Sequence, residues 1–376
     1  MKKILFLPLF QMPSGHHQVA DALIDSINSS EEEIECKKVD FLSYWNEKLE
    51  KTIGTVYLKW ISSLPKTYHW VYKRFMYESR ENQVPLQVDY VQLLGFEAKM
   101  LELIKEEQPD LIVCTHCFPS AILSRLKRQH QIDMPTVNVY TDFFINGVWG
   151  KEHIDLHLVN DELMKKDLVK NHGVSEHQVS ITGIPTSEDI VSYTTKRLTD
   201  KKHILVAGGS SGVGNIIDYL KSIRPDSTYR YTVLCGKNEK LYKELSSWDV
   251  DHIEAKPYIE SRAEMNRLYE QADAIITKPG GITISEALKK RLLIFVHSAL
   301  PGQEQYNLKG LSEKQLIIPI EVGNFEGTIE HVLENEWRRK QIFQRMDEYL
   351  ALTESCPKNE IVKLIDAPTM LNIQPG

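Results

Sequence analysis

The sequence predicts an α/β protein made of two parallel sheets in tandem. Three observations carry this reading. Short apolar runs alternate with longer amphipathic ones, the alternation pauses once and restarts, and 376 residues exceed what one core usually organises. In the first half the spacing predicts strands over 4–9, 111–114, 136–140, 156–159 and 179–182, with a long irregular insertion between the first two. In the second half it predicts strands over 203–207, 231–234, 274–277, 292–296 and 316–319. Residues 186–202 are polar and Thr-rich, with little apolar periodicity, and read as the linker. The units are therefore 1–185 and 203–355. A helical stretch over 334–352 precedes Pro357 and a weaker helical run, so the tail 356–376 is a candidate to pack back onto the first unit.

Composition narrows the classes. An apolar content of 42% suffices for two cores, and a net charge of −7 gives no global reason to expect a nucleic-acid partner. Five cysteines, an odd number without framework spacing, fit a reducing compartment and a cytosolic protein. Lys2 and Lys3 precede an apolar run, but Pro8, Gln11, His16 and His17 interrupt it, so a buried first strand explains the run better than a leader. No stretch reaches the ~18 apolar residues of a membrane-spanning helix. If the protein meets a membrane, it is expected to do so from one side.

The chemistry-bearing residues gather where strands end. After 203–207 comes Gly208-Gly209-Ser210-Ser211-Gly212-Val213-Gly214, a turn whose amides can approach a phosphate at the positive end of a helix, or that needs glycine only for its backbone. No Gly-Lys-Ser/Thr follows, which excludes a Walker loop. After 274–277 comes Lys278-Pro279-Gly280-Gly281 and a helix start. There Lys278, the first helix amides and Thr283 can meet a diphosphate, and Glu286, one turn on, can accept both ribose hydroxyls. The bland alternatives are a first-turn cap for Thr283 and a solvated acid for Glu286. A third loop, 298–305, brings Gln303 and Glu304 to the same edge, with chemistry suited to sugar hydroxyls or to a polar helix start. Ligands of open α/β sheets collect at that edge.

The run Lys278-Pro279-Gly280-Gly281-Ile282-Thr283-Ile284-Ser285-Glu286, with Pro301-Gly302-Gln303-Glu304 and Ser14-Gly15-His16, resembles the monogalactosyldiacylglycerol synthase and processive diacylglycerol glucosyltransferase family. A more distant relative is the N-acetylglucosaminyltransferase that makes peptidoglycan lipid intermediates. The resemblance covers most of the chain. It implies the GT-B architecture of two facing Rossmann-like domains, inverting transfer from a UDP-sugar, and no cofactor or obligatory metal. It further implies Gly209 and Ser210 in the donor-side glycine loop, Gly236 and Lys237 in a neighbouring loop, and backbone contacts to uracil at Tyr258 and Ile259. Gly280, Gly281 and Thr283 match the diphosphate site, Glu286 the ribose site, and Gln303 and Glu304 the sugar site. The N-terminal half departs more: Gln11 stands where some relatives carry Asp, Ile145-Asn146-Gly147 replaces a family His pattern, and Thr186 and Ser187 break the usual continuation of Ile184-Pro185.

His16 opens a helix with Val19, Ala22, Leu23 and Ile27 on its apolar face, and it is the candidate base for an acceptor hydroxyl. The alternatives are a polar cap and the neighbouring His17. Asp142, after a strand, can orient that histidine, act as base itself, or cap a turn. Cys114-Thr115-His116-Cys117 supplies at most three metal ligands and reads as strand-end packing. The insertion 45–80 interleaves Trp60, Tyr68, Trp70, Tyr72, Phe75 and Tyr77 with Lys59, Lys66, Lys73 and Arg74, suiting either an anionic membrane surface or buried rings with snorkelling cations. The expectation is an inverting glycosyltransferase that moves a hexose, glucose first, from a UDP-sugar to a lipid such as diacylglycerol at the cytoplasmic face of the membrane. The alternatives are a soluble acceptor, or a UDP-sugar-binding protein without catalysis.

Overall fold

The computed structural model describes residues 1–9, 14–46, 50, 60, 63–77, 95–192, 202–208 and 216–366. They form two six-stranded sheets, each parallel throughout. The first contains β1 (Lys2–Leu7), β2 (Ile34–Lys38), β3 (Leu111–Cys114), β4 (Thr136–Val139), β5 (Leu156–Val159) and β6 (Val179–Ile181), in the order β2-β1-β3-β4-β5-β6. The second contains β7 (His203–Ala207), β8 (Arg230–Leu234), β9 (Ile253–Lys256), β10 (Ala274–Thr277), β11 (Leu293–Val296) and β12 (Ile318–Pro319), in the order β12-β11-β10-β7-β8-β9.

β3, β4, β5, β10 and β11 are buried at every position, as strands must be when helices cover both sheet faces. β2 and β9 are absent from the sequence expectation, and the stretch between the first two expected strands holds β2 as well as helices. Both missed strands lie at a sheet edge and keep exposed or half-buried positions, so their apolar content is only Ile34 and Cys36, and Ile253 and Ala255. Edge strands give a weak hydrophobic signal.

In the first sheet, period-2 alternation divides the interior. Leu5, Leu7, Ile112, Cys114 and Val159 belong to a core of the first unit alone. Ile4, Phe6, Val113, Val137 and Leu158 face the other way, with Val19, Leu23 and Ile27 of the helix Gly15–Asn28, in a cluster that runs on into the second unit.

The chain then returns. Beyond the helix Glu336–Leu350, Glu354 donates its N–H to Ile181 O (2.7 Å) and accepts the Ile181 N–H on its carboxylate (3.0 Å), effectively extending the β6 edge. The helix Pro357–Asp366 buries Ile361 and Ile365 in the shared cluster, and Lys2 at the start of β1 pairs with Asp366 (2.5 Å) and Ile365 O (2.9 Å). Linker positions 193–201 and tail positions 367–376 lie outside the described residues.

Candidate active site

All strands of a parallel sheet end on one edge, and the chain order reverses between β1 and β3 and again between β7 and β10. Crevices at such switch points are where open α/β sheets hold ligands. The two crevices face each other.

On the first unit, residues after β1, β3 and β4 converge. His16 lies in the first turn of Gly15–Asn28, half-buried, with Nδ1 2.7 Å from Thr115 O and 2.9 Å from Thr141 Oγ1. A carbonyl oxygen only accepts, so Nδ1 carries the proton and Nε2 keeps its lone pair. Burial lowers the His16 pKa to about 4, which leaves the ring neutral at physiological pH. His116, the cap of the helix Cys117–Arg128, packs edge-on against it with centroids 4.7 Å apart. His17 turns inward to Asp40, 3.2 Å away. Cys114 and Cys117 are free buried thiols whose pKa values burial pushes up, that of Cys117 to about 12; among the described residues no group of three or more His, Cys, Asp or Glu is placed to hold a metal.

Asp142 is not the residue that orients His16; that role falls to Thr115 and Thr141. The Asp142 carboxylate reaches across to the second unit, where it accepts from Gln303 Nε2 and from Asn307 Nδ2 (2.8 Å). Burial raises its pKa to about 6 against the pull of these two amides.

On the second unit, Lys278, Pro279 and Gly280 lead from β10 into the helix Gly281–Lys289, whose cap position, Gly280, offers no side-chain hydrogen bond to the first amides. Thr283 is half-buried in its first turn. Glu286 is buried rather than solvated. It accepts the Tyr269 hydroxyl at 2.8 Å, has Arg262 at 3.9 Å, and has its pKa raised by burial. Glu304 accepts the Leu300 N–H at 2.6 Å, closing the loop before the helix Gln303–Glu313. Gly236 has φ +58, and Lys237 lies 5.2 Å from the ring centroid of Tyr258, whose neighbour Ile259 packs on the core. Gly209 and Ser210 lie outside the described residues, as does Gln11.

The two edges touch. A Cβ at Gly281 would stand 1.9 Å from Thr141 O and 3.0 Å from Ile184 Cδ1, so only glycine permits the approach; one at Gly15 would meet Ile282 at 3.7 Å. The N-terminal turn carrying His16 thus faces the N-terminal turn of the helix Gly281–Lys289.

The family model for monogalactosyldiacylglycerol (MGDG) synthase matches residues 16–186, and that for the glycosyltransferase family 28 C-terminal domain matches residues 203–355. An uncharacterized glycosyltransferase of Bacillus subtilis (strain 168) is 38% identical over 97% of both chains. The chain belongs to this glycosyltransferase family. A processive diacylglycerol beta-glucosyltransferase of Bacillus pumilus (strain SAFR-032) is 29% identical over 81% of this chain and 80% of its own. Among solved structures, MurG of Acinetobacter baumannii superposes with TM-score 0.61 at 14% identity, covering 97% of this chain and 99% of that one, which makes the fold GT-B.

In this glycosyltransferase residues 63–77 of the insertion reach across to the second domain. Tyr68 and Tyr72 are buried against the second domain, where a Cβ at Gly302 (φ +91) would meet their rings at 2.9 and 3.1 Å. Tyr77 stacks on Tyr306 at 3.7 Å. Trp70 and Leu64 instead remain 63% and 57% exposed, beside exposed Lys66, Lys73 and Arg74. Lys59 lies outside the described residues, as does the side chain of Phe75. No helix among the described residues is long and apolar enough to cross a membrane.

Sequence reasoning passed over Thr115, Tyr269 and Asn307. Thr115 works through a backbone carbonyl, which no residue type advertises. Tyr269 and Asn307 sit inside helices where their polar atoms read as surface. A polar position at core spacing was the signal available for Asn307.

Proposed function

We propose that the enzyme transfers a hexose, glucose first, from a UDP-sugar to the hydroxyl of a diacylglycerol-like lipid, with inversion at the anomeric carbon. The observation that carries this reading is His16, fixed with Nε2 as acceptor, opposite the helix start at Gly281. Lys278, the first amides of Gly281–Lys289 and Thr283 would hold the diphosphate, Glu286 the ribose, Gln303 and Glu304 the sugar, and Gly209, Ser210, Gly236, Lys237, Tyr258 and Ile259 the remaining nucleotide contacts. The acceptor hydroxyl gives its proton to His16 Nε2 while its oxygen bonds to the anomeric carbon. The bond from that carbon to the diphosphate oxygen breaks, and its electron pair leaves with UDP. A cation, a hydroxyl and a helix N-terminus aimed at the leaving oxygens can stabilise that charge without a divalent ion.

Two things support the lipid acceptor. One is the activity named for the Bacillus pumilus relative. The other is the exposed pair Trp70 and Leu64 beside Lys66, Lys73 and Arg74 in a chain of net charge −7, a local arrangement suited to an anionic surface. The test is UDP release from UDP-glucose over phosphatidylglycerol vesicles with and without dioleoylglycerol. The expected outcome is release that depends on dioleoylglycerol, survives a chelator, and drops when Trp70→Ser and Leu64→Ser weaken vesicle binding. Transfer to a soluble acceptor alone would replace the lipid reading, and UDP binding without turnover would make the chain a binder.

A further inference from the structure

Asn307, in the second turn of the helix Gln303–Glu313, is 1% exposed and lies between the two domains. Its Oδ1 accepts the Phe143 N–H (2.8 Å), and its Nδ2 donates to Asp142 Oδ1 (2.8 Å) and to Pro279 O (3.0 Å). A backbone N–H can only donate and a carbonyl oxygen can only accept, so these partners admit one orientation of the amide. Both donors and the acceptor are used. A buried amide is costly unless so satisfied, and here satisfaction needs residues of both domains at once.

The partners decide what the clamp positions. Phe143 and Asp142 continue the loop whose Thr141 holds His16, while Pro279 belongs to the turn that starts the donor-side helix. From His16 to Thr141, through Asp142 and Phe143 to Asn307, and on to Pro279, each step is a hydrogen bond or one or two residues of backbone. We propose that Asn307 is a cross-cleft positioning residue: through the hydrogen bonds it makes to both, it sets the register of the His16 loop against the diphosphate turn. This rests on the transferase reading above. Misplacing a base by an ångström typically costs about 10²-fold in rate while leaving the donor domain's own binding intact.

The test uses the full-length enzyme with UDP-glucose and dioleoylglycerol vesicles. Asn307→Asp keeps the acceptor for Phe143 and removes both donors, so kcat should fall by about 10²-fold while UDP affinity by calorimetry stays within about twofold. Exchanging the partners, Asp142→Asn with Asn307→Asp, restores one donor–acceptor pair in reverse, and kcat should rise at least about tenfold above Asn307→Asp alone. A merely structural amide would show no such recovery. Deuterium exchange at the Phe143 amide supplies a readout apart from turnover and should quicken in Asn307→Ala. Wild-type kcat in Asn307→Asp, UDP affinity lost in step with kcat, or an exchanged pair no better than the single variant would each overturn the proposal. Wild-type protein that released no UDP would fail the transferase reading instead. The clamp would then be judged on Phe143, where unchanged exchange in Asn307→Ala overturns it.

Discussion

His16 and His17 are adjacent and chemically identical, yet the fold separates them. One is turned to Thr115 and Thr141 at the cleft, the other to Asp40 beneath the helix. The ring at the cleft has its Nδ1 proton held by a carbonyl, the arrangement a base needs. His16→Ala is therefore expected to leave UDP affinity nearly unchanged and to lower transfer by ~10²-fold or more. The pH profile gives a second check, because a base works in its deprotonated form and activity rises with pH through its pKa. With His16 lowered to about 4 and Asp142 raised to about 6, the acid limb of kcat/KM should lie near the lower value. A limb near 6 that persisted in His16→Ala would move the base to Asp142.

At the scale of elements, two helix N-termini meet across the cleft at Gly15 and Ile282, and beside them Gly281 packs on the loop after β4. Its hydrogen leaves room for Thr141 O where a methyl group would lie 1.9 Å away. No side-chain rotation relieves that overlap, since a Cβ is fixed by its own backbone and the atom it meets is a backbone oxygen. Gly281→Ala should hold the domains apart, seen as a larger radius of gyration in small-angle scattering, with transfer reduced by about 10²-fold. Unchanged scattering together with unchanged turnover would remove this contact from the working state. The insertion helix Pro65–Val71 and the segment Tyr72–Tyr77 that continues it add a second bridge, with Tyr68 and Tyr72 seated on Gly302.

At the scale of the whole molecule, the last helix ties the second half of the chain to the first strand. Ile361 is fully buried in a cluster with members in both domains, and Lys2 pairs with Asp366 beside it. Ile361→Ala should cost about 3 kcal/mol, within the range for a buried Ile truncation, measured by denaturant unfolding. Because the cluster is shared, the loss should appear in a transition common to both domains. A first-domain transition that did not move would show that the tail helix stabilises the second domain alone.

The sequence by itself determined the two parallel-sheet units, because buried strands are short apolar runs whatever surrounds them, and β3, β5, β7 and β10 fall on the ranges read from that pattern. It also pointed to the loops at the strand ends, since glycine turns and the residues beside them stand out by type, and the fold places Lys278, Gly280, Gly281, Thr283, Glu286, Gln303 and Glu304 at one sheet edge. The edge strands β2 and β9 stayed hidden because half their positions need no apolar residue. Only the tertiary structure decided the relations between distant segments. Asp142 bonds Gln303 and Asn307 rather than His16, Glu286 is buried beneath Tyr269, and Tyr68, Tyr72 and Tyr77 of the insertion pack on the second domain while Trp70 stays exposed. The physical reason is that periodicity reports whether a side chain faces a core, whereas a hydrogen bond between residues 161 or 165 positions apart depends on how two sheets are set against each other. No local pattern encodes that placement.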